Sequence, residues 1–270
     1  MRPVIAVLLG CCLLLAGCNT LTGSGPGDDR FEDTVTPVPV SDPDREGGLP
    51  PGLTDEGIGS LSVLVRNHRD ALGNQSYVMT EWERSRSIRP DRPDLLVTRG
   101  ERMRVESATV YSHRLMRVRA TANGSREFFR ATYADGDQWH QRTVNGTGES
   151  FAVGPIRSER DRFVFAATFA MEQYLSAGNA SVVPVSENGT TVYRVRTEHP
   201  GRFDDNWSNY TAVAYVEPSG FVRRLSVSYV VDHGDGREVV AYRFAYERRG
   251  NVSTEPPDWL GRADRSAEPE

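Results

Sequence analysis

In the last third of the chain, apolar residues fall on every second position: Leu225, Val227, Tyr229 and Val231, then Val240, Tyr242, Phe244 and Tyr246. A strict period of two puts those side chains on one face of a half-buried strand. The reversal between the two runs, Asp232–Gly236, holds the glycine and aspartate that a tight turn needs. The same reading gives strands over Ala180–Val185, Thr191–Thr197, Tyr210–Val216, Phe221–Val231 and Arg237–Glu247, with turns at Glu187-Asn188-Gly189 and Glu217-Pro218-Ser219-Gly220. Upstream it gives Tyr77–Ser85, a loop rich in Arg, Pro and Asp, then Glu101–Ser107, Val110–Ala120, and a hairpin of Arg126–Tyr133 and Gln138–Val144 across Ala134-Asp135-Gly136.

Two segments follow the helical period instead. Ser60 can cap a helix whose apolar positions are Leu61, Leu64, Val65, His68 and Leu72, with Gly73 as its stop. The second runs from Ser158 to Ser176, with Val164, Ala167, Met171, Tyr174 and Leu175 on its core face and Gly178 behind it. Consecutive hairpins with two packing helices predict an α+β fold on one long antiparallel sheet.

The N-terminus has the layout of an export signal: Met1-Arg2-Pro3, an apolar run Val4–Leu15, and Ala16-Gly17 before Cys18. The run is too short to span a bilayer, which takes about 20 apolar residues. Ala16-Gly17-Cys18 resembles the lipobox of bacterial and archaeal lipoproteins, which implies cleavage after residue 17 and a lipid on Cys18. Cys11 and Cys12 would leave with the signal, so the mature chain would hold one cysteine, with no disulfide and no cysteine metal site. The expected organisation is a signal over 1–17, a lipid anchor and disordered tether over 18–55, a folded domain over 56–254, and a flexible acidic tail over 255–270. The expected location is the extracellular face of a cell membrane.

All 32 basic residues are arginine and the net charge is −5. Arginine without lysine in an acidic protein resembles the proteomes of salt-loving archaea, and no segregated basic stripe points to nucleic acid. Eight of the ten asparagines stand in Asn-x-Ser/Thr: Asn74, Asn123, Asn145, Asn179, Asn188, Asn206, Asn209 and Asn251. They are candidates for N-glycosylation, and the Asn-Gly pairs at 123, 145 and 188 are also hairpin signals.

Chemistry-bearing motifs are missing. There is no Gly-x-Ser-x-Gly, no phosphate-binding glycine loop and no His-Glu-x-x-His, and the five histidines share no metal-ligand spacing. The aspartates at Asp135-Gly136-Asp137 and Asp232–Gly236 read as hairpin turns, without the spacing of a calcium loop. No cofactor and no metal is expected, and the chain reads as a binder and not an enzyme. Arg102, Arg104, Arg117, Arg119 and Arg130 alternate along neighbouring strands, either as a basic face for anionic groups or as a solvated face paired to Glu106 and Glu127. Phe129, Tyr133, Tyr229, Tyr242, Phe244 and Tyr246 are the candidate ligand-facing residues if the sheet has a concave side.

The hairpin Val213-Ala214-Tyr215-Val216-Glu217-Pro218-Ser219-Gly220-Phe221-Val222-Arg223-Arg224, with the lipobox, tether and element order, resembles LolA/LppX-type lipoprotein carriers. That resemblance implies a sheet curled into an open half-barrel, plugged by helices, with an apolar cavity for acyl chains. Leu49-Pro50-Pro51-Gly52-Leu53, Leu72 with Ser76-Tyr77, and Pro256-Pro257-Asp258-Trp259-Leu260 are similar to an uncharacterised lipoprotein family of halophilic archaea, and that likeness implies no activity. The implied partners are membrane lipid through Cys18 and a lipid or other apolar ligand. The alternative is a structural role in a glycosylated envelope, in contact with a surface layer or an envelope protein.

Overall fold

The computed structural model describes residues 48–156, 160–176, 179–201 and 206–267. The expected signal, Cys18, the tether up to residue 47 and the expected helix cap Ser158 lie outside the described residues. Two short strands, β1 (Leu53–Thr54) and β2 (Gly57–Ile58), pair and lead into α1 (Leu61–Leu72). A first meander follows: β3 (Tyr77–Arg89), β4 (Arg92–Val105), β5 (Val110–Thr121), β6 (Gly124–Asp135), β7 (Gln138–Asn145) and β8 (Gly148–Pro155). After α2 (Arg160–Tyr174) comes a second: β9 (Ala180–Glu187), β10 (Thr190–Thr197), β11 (Trp207–Val216), β12 (Val222–Asp232) and β13 (Arg237–Arg249). The short helix α3 (Leu260–Ala267) follows.

All eleven long strands belong to one antiparallel sheet, ordered β8-β7-β6-β5-β4-β3-β13-β12-β11-β10-β9. The two meanders are therefore joined through β3 and β13, and the sheet is open, with β8 and β9 at its edges. The loop expected between residues 86 and 100 is instead the far half of a long hairpin, turning at residues 90–91. Pro93 is tolerated there because β5 pairs with β4 only from Leu96 onward, so no ladder bond needs its missing N–H on that side.

The sheet faces explain where the helices go. Tyr242, Phe244 and Tyr246 share one face of β13. His68 of α1 packs its ring against Phe244 and Tyr246, and Tyr174 of α2 packs against Tyr242. Both helices thus cover the same face, and the main core lies between them and the sheet. The helix α1 starts and stops where its local chemistry says. Ser60 accepts a hydrogen bond from the Val63 N–H, and Gly73 donates its N–H back to the Arg69 carbonyl.

The segment expected as a flexible tail carries α3, a third helix on the other face. Trp259 and Ala263 are buried against Ala131 and Tyr133 of β6, with Phe151 and Val153 of β8 beside them. Ala131 and Tyr133 alternate with Thr132 and Ala134, and Ala134 belongs to the main core, so α3 sits behind the sheet.

Candidate functional site

The register across β3, β4, β5 and β6 arranges the helix-covered face in rows. The innermost row is apolar: Tyr77, Val105, Tyr111 and Ala134 stand opposite one another across the four strands. The next holds Met79, Met103, His113 and Thr132. Then the chemistry changes. Glu81, Glu101, Leu115 and Arg130 form a third row; Glu83, Arg99, Arg117 and Phe128 a fourth; Ser85, Val97, Arg119 and Arg126 a fifth.

Helix α2 lies over the boundary between apolar and charged rows. Beneath it is a cleft of about 330 Å³, with Glu81, Glu83, Arg99 and Glu101 toward the sheet and Phe163, Phe165 and Phe169 on the helix side. Phe165 and Phe169 are 60% and 51% exposed, with ring centroids 5.8 Å apart. An apolar side chain that far from the core leaves its transfer free energy unrealised. A second hollow of about 240 Å³, lined by Glu83, Val97, Arg99, Arg117 and Arg119, adjoins the first through Glu83 and Arg99.

The floor of the cleft is electrostatically uneven. The Glu101 Oε2 lies 2.7 Å from the His113 Nε2, and its Oε1 meets the Arg99 guanidinium. Burial pushes the Glu101 carboxyl up, but His113 and Arg99 outweigh it and hold the group below the usual carboxylate range. Glu81 stands directly opposite Glu101. Burial first, and the Glu101 charge second, push its carboxyl up to about 7, with Arg99 opposing. The two facing carboxyls are therefore pushed in opposite directions, because Glu101 has His113 and Arg99 beside it as donors.

The candidate ligand-facing residues are not brought together. Phe244 and Tyr246 pack on His68, and Tyr229 stacks on Trp207 with centroids 3.9 Å apart, so these three serve the core. Tyr242 alone lines the cleft under α2. Phe129 and Tyr133 lie on the opposite face, where they line a hollow of about 610 Å³ between Pro256–Trp259 and β5–β7. That hollow is larger but less suited to binding, since Arg142 and Arg262 both pair with Glu149 and Trp259 is spent packing α3. The arginines divide in the same way. Arg117, Arg119 and Arg130 share the helix-covered face, whereas Arg102 pairs with Glu247 and Arg104 donates to the Ser253 carbonyl behind the sheet.

Seven of the eight sequon asparagines are exposed. Asn206 is half-buried and its Nδ2, the atom a glycan would occupy, donates to the Asp232 carbonyl at 3.3 Å. Asn188, Asn209 and Asn251 adopt φ values of 52°, 52° and 50°, a left-handed conformation that asparagine tolerates. Asp135 caps its own hairpin by accepting from the Asp137 and Gln138 N–H groups, each at 2.9 Å. Among the described residues, no three His, Cys, Asp or Glu side chains gather as a metal site.

Sequence reasoning missed Phe165, Phe169, Glu81, Glu83, Arg99 and Glu101. The first two had a signal: Phe163, Val164, Phe165, Ala167 and Phe169 point in every direction around α2, and a helix apolar all round is covered by something.

No protein-family model and no curated protein matches the chain. Among solved structures it is similar to LprF from Mycobacterium bovis at 8% identity and a TM-score of 0.35, over 73% of this chain and 96% of that one. It is similar to a putative outer membrane lipoprotein-sorting protein domain from Vibrio parahaemolyticus at 11% identity and a TM-score of 0.24, over 73% of this chain and 94% of that one. A LolA superfamily protein from Nitrosomonas europaea gives 10% identity and a TM-score of 0.22, over 74% of this chain and 96% of that one. Identities and scores this low place the chain in no family.

Proposed function

We propose that this domain binds an amphiphile with its apolar part in the cleft under α2, the sheet curling around the helices as an open half-barrel. The observation that carries the reading is the stacked, exposed Phe165–Phe169 pair beside a cleft with a polar floor. Covering both rings would remove on the order of 100 Å² each from water, worth about 2 kcal/mol per ring. The mature chain with Phe165→Ser and Phe169→Ser should therefore bind the neutral probe N-phenyl-1-naphthylamine at least about tenfold more weakly than the unaltered chain. Both side chains are exposed, so the thermal melt should barely move. Equal probe binding by the two proteins would remove the cleft from consideration.

The domain is held, on this reading, at the outer face of a cell membrane by lipid on Cys18, with the tether between them. Two acyl or ether chains give stable anchoring where one is marginal. Cys18→Ser should move the protein from the membrane fraction to the medium of expressing cells. Retention of the variant in membranes would show that something other than Cys18 holds it.

A further inference from the structure

The charged rows beyond α2 carry more positive charge than the fold can use. Arg99 and Arg117 stand directly opposite each other across β4 and β5, and Arg119 and Arg126 do so across β5 and β6. Like charges in directly opposed positions destabilise a sheet. Among the described residues, Arg117, Arg119, Arg126 and Arg130 have no ion-pair partner, although the chain as a whole carries a net charge of −5. The Nε atoms of Arg99 and Arg130 are buried without a hydrogen-bond partner. The hollow beside the cleft is thus lined by Arg117 and Arg119, by Arg99, whose guanidinium also meets Glu101, and by one carboxylate of its own, Glu83.

We infer that this arginine cluster is an anion subsite, and that it takes the phosphate, sulfate or carboxylate head of the amphiphile whose chain lies under α2. The inference rests on the amphiphile reading of the cleft. Continuity carries it: Glu83 and Arg99 line both hollows, so a head among Arg99, Arg117 and Arg119 leaves its chain beside Phe165 and Phe169. A guanidinium fork matches two oxygens of one anionic head, and such contacts are short enough to persist where salt screens longer-range attraction. An anion held there also offsets the repulsion between facing arginines.

The test is calorimetric titration of the mature chain with dodecyl phosphate, dodecyl maltoside and inorganic phosphate, the amphiphiles kept below their micelle concentrations. The expected result is binding of dodecyl phosphate about tenfold or more tighter than dodecyl maltoside, with inorganic phosphate weakest. The double variant Arg117→Gln/Arg119→Gln should close the gap between the two amphiphiles, and it should melt no lower than the parent because two like-charge contacts are relieved. Equal affinity for the two amphiphiles would overturn the head-group subsite and leave the cleft reading standing. A preference that survives in the double variant would overturn the assignment to these arginines. Inorganic phosphate binding as tightly as dodecyl phosphate would reduce the cluster to a free-anion site. Binding of neither amphiphile would remove the cleft reading itself and this subsite with it.

Discussion

His68→Ala is expected to destabilise the domain by about 3–5 kcal/mol at pH 7.5, from the lost ring volume together with an orphaned backbone donor. His68 is fully buried on α1, its ring stacked on Phe221 with centroids 5.0 Å apart and planes 3° from parallel. The Val222 N–H at the start of β12 can only donate, so the His68 Nδ1 accepts it, at 3.2 Å. The proton then sits on Nε2, which donates to the Tyr246 Oη at 3.3 Å. Alanine would leave the Val222 donor without a partner in the middle of the core. Burial, and after it the charges of Arg249 and Arg69, push the His68 pKa down to about 3.

That shift fixes the sign of the pH dependence. Above pH about 6.5 the imidazole is neutral in both states and the full stability is present. Between about 6.5 and 3 the unfolded chain takes up a proton that the folded one refuses, so stability falls toward acid by about 1.4 kcal/mol per pH unit. Denaturant unfolding of both proteins at pH 7.5 and 4.5 should show their difference shrinking by about 2–3 kcal/mol at the lower pH. A difference that stays constant would mean that His68 is not held neutral by burial.

Interactions local in the chain are legible in the sequence, and those that need distant strands in register are not. The helix α1 was legible because its cap, its apolar stripe and its glycine stop are all written within residues 60–73. The hairpins of β5–β6 and β12–β13 were legible for the same reason, since both strands and the turn are contiguous. Position on a face of one strand was also legible, but not how faces match between distant strands. Phe129 and Tyr133 read as companions of Tyr242 and Phe244, yet the register carried through β5, β4 and β3 puts them on the opposite side. A slip of one residue in any of those ladders would reverse that answer.

The same argument covers the cleft. The facing of Glu81 and Glu101, and of Arg99 and Arg117, exists only once three strands are in register, and no spacing along the chain encodes it. The edge strand β8, Gly148–Pro155, was missed because Phe151, Ala152 and Val153 are too few to set a period between glycines. The helix α3 was missed because its docking depends on Trp259 and Ala263 finding Ala131 and Tyr133 behind the sheet. Its own sequence, with two arginines and an aspartate in eight residues, reads as tail.

Glu81→Gln is expected to stabilise the domain by about 3 kcal/mol at pH 8 and to leave it nearly unchanged at pH 4. The folded-state pKa of about 7 lies above the ordinary glutamate value of 4.5. Below 4.5 the carboxyl is protonated in both states and costs nothing extra. As pH rises through that value the unfolded chain ionises while the folded one keeps its proton, so stability falls by about 1.4 kcal/mol per unit until pH passes about 7. Glutamine has the shape of the protonated acid and no charge to bury, so it should remove this slope. The His68 and Glu81 slopes have opposite signs and overlap between about pH 4.5 and 6.5, which predicts a nearly flat stability profile there for the unaltered chain. His68→Ala should then lose stability steadily as pH rises across that window, and Glu81→Gln should gain it. Parallel profiles for Glu81→Gln and the parent from pH 4 to 8 would show that Glu81 ionises normally, and that the floor of the cleft is wetter than its packing under α2 implies.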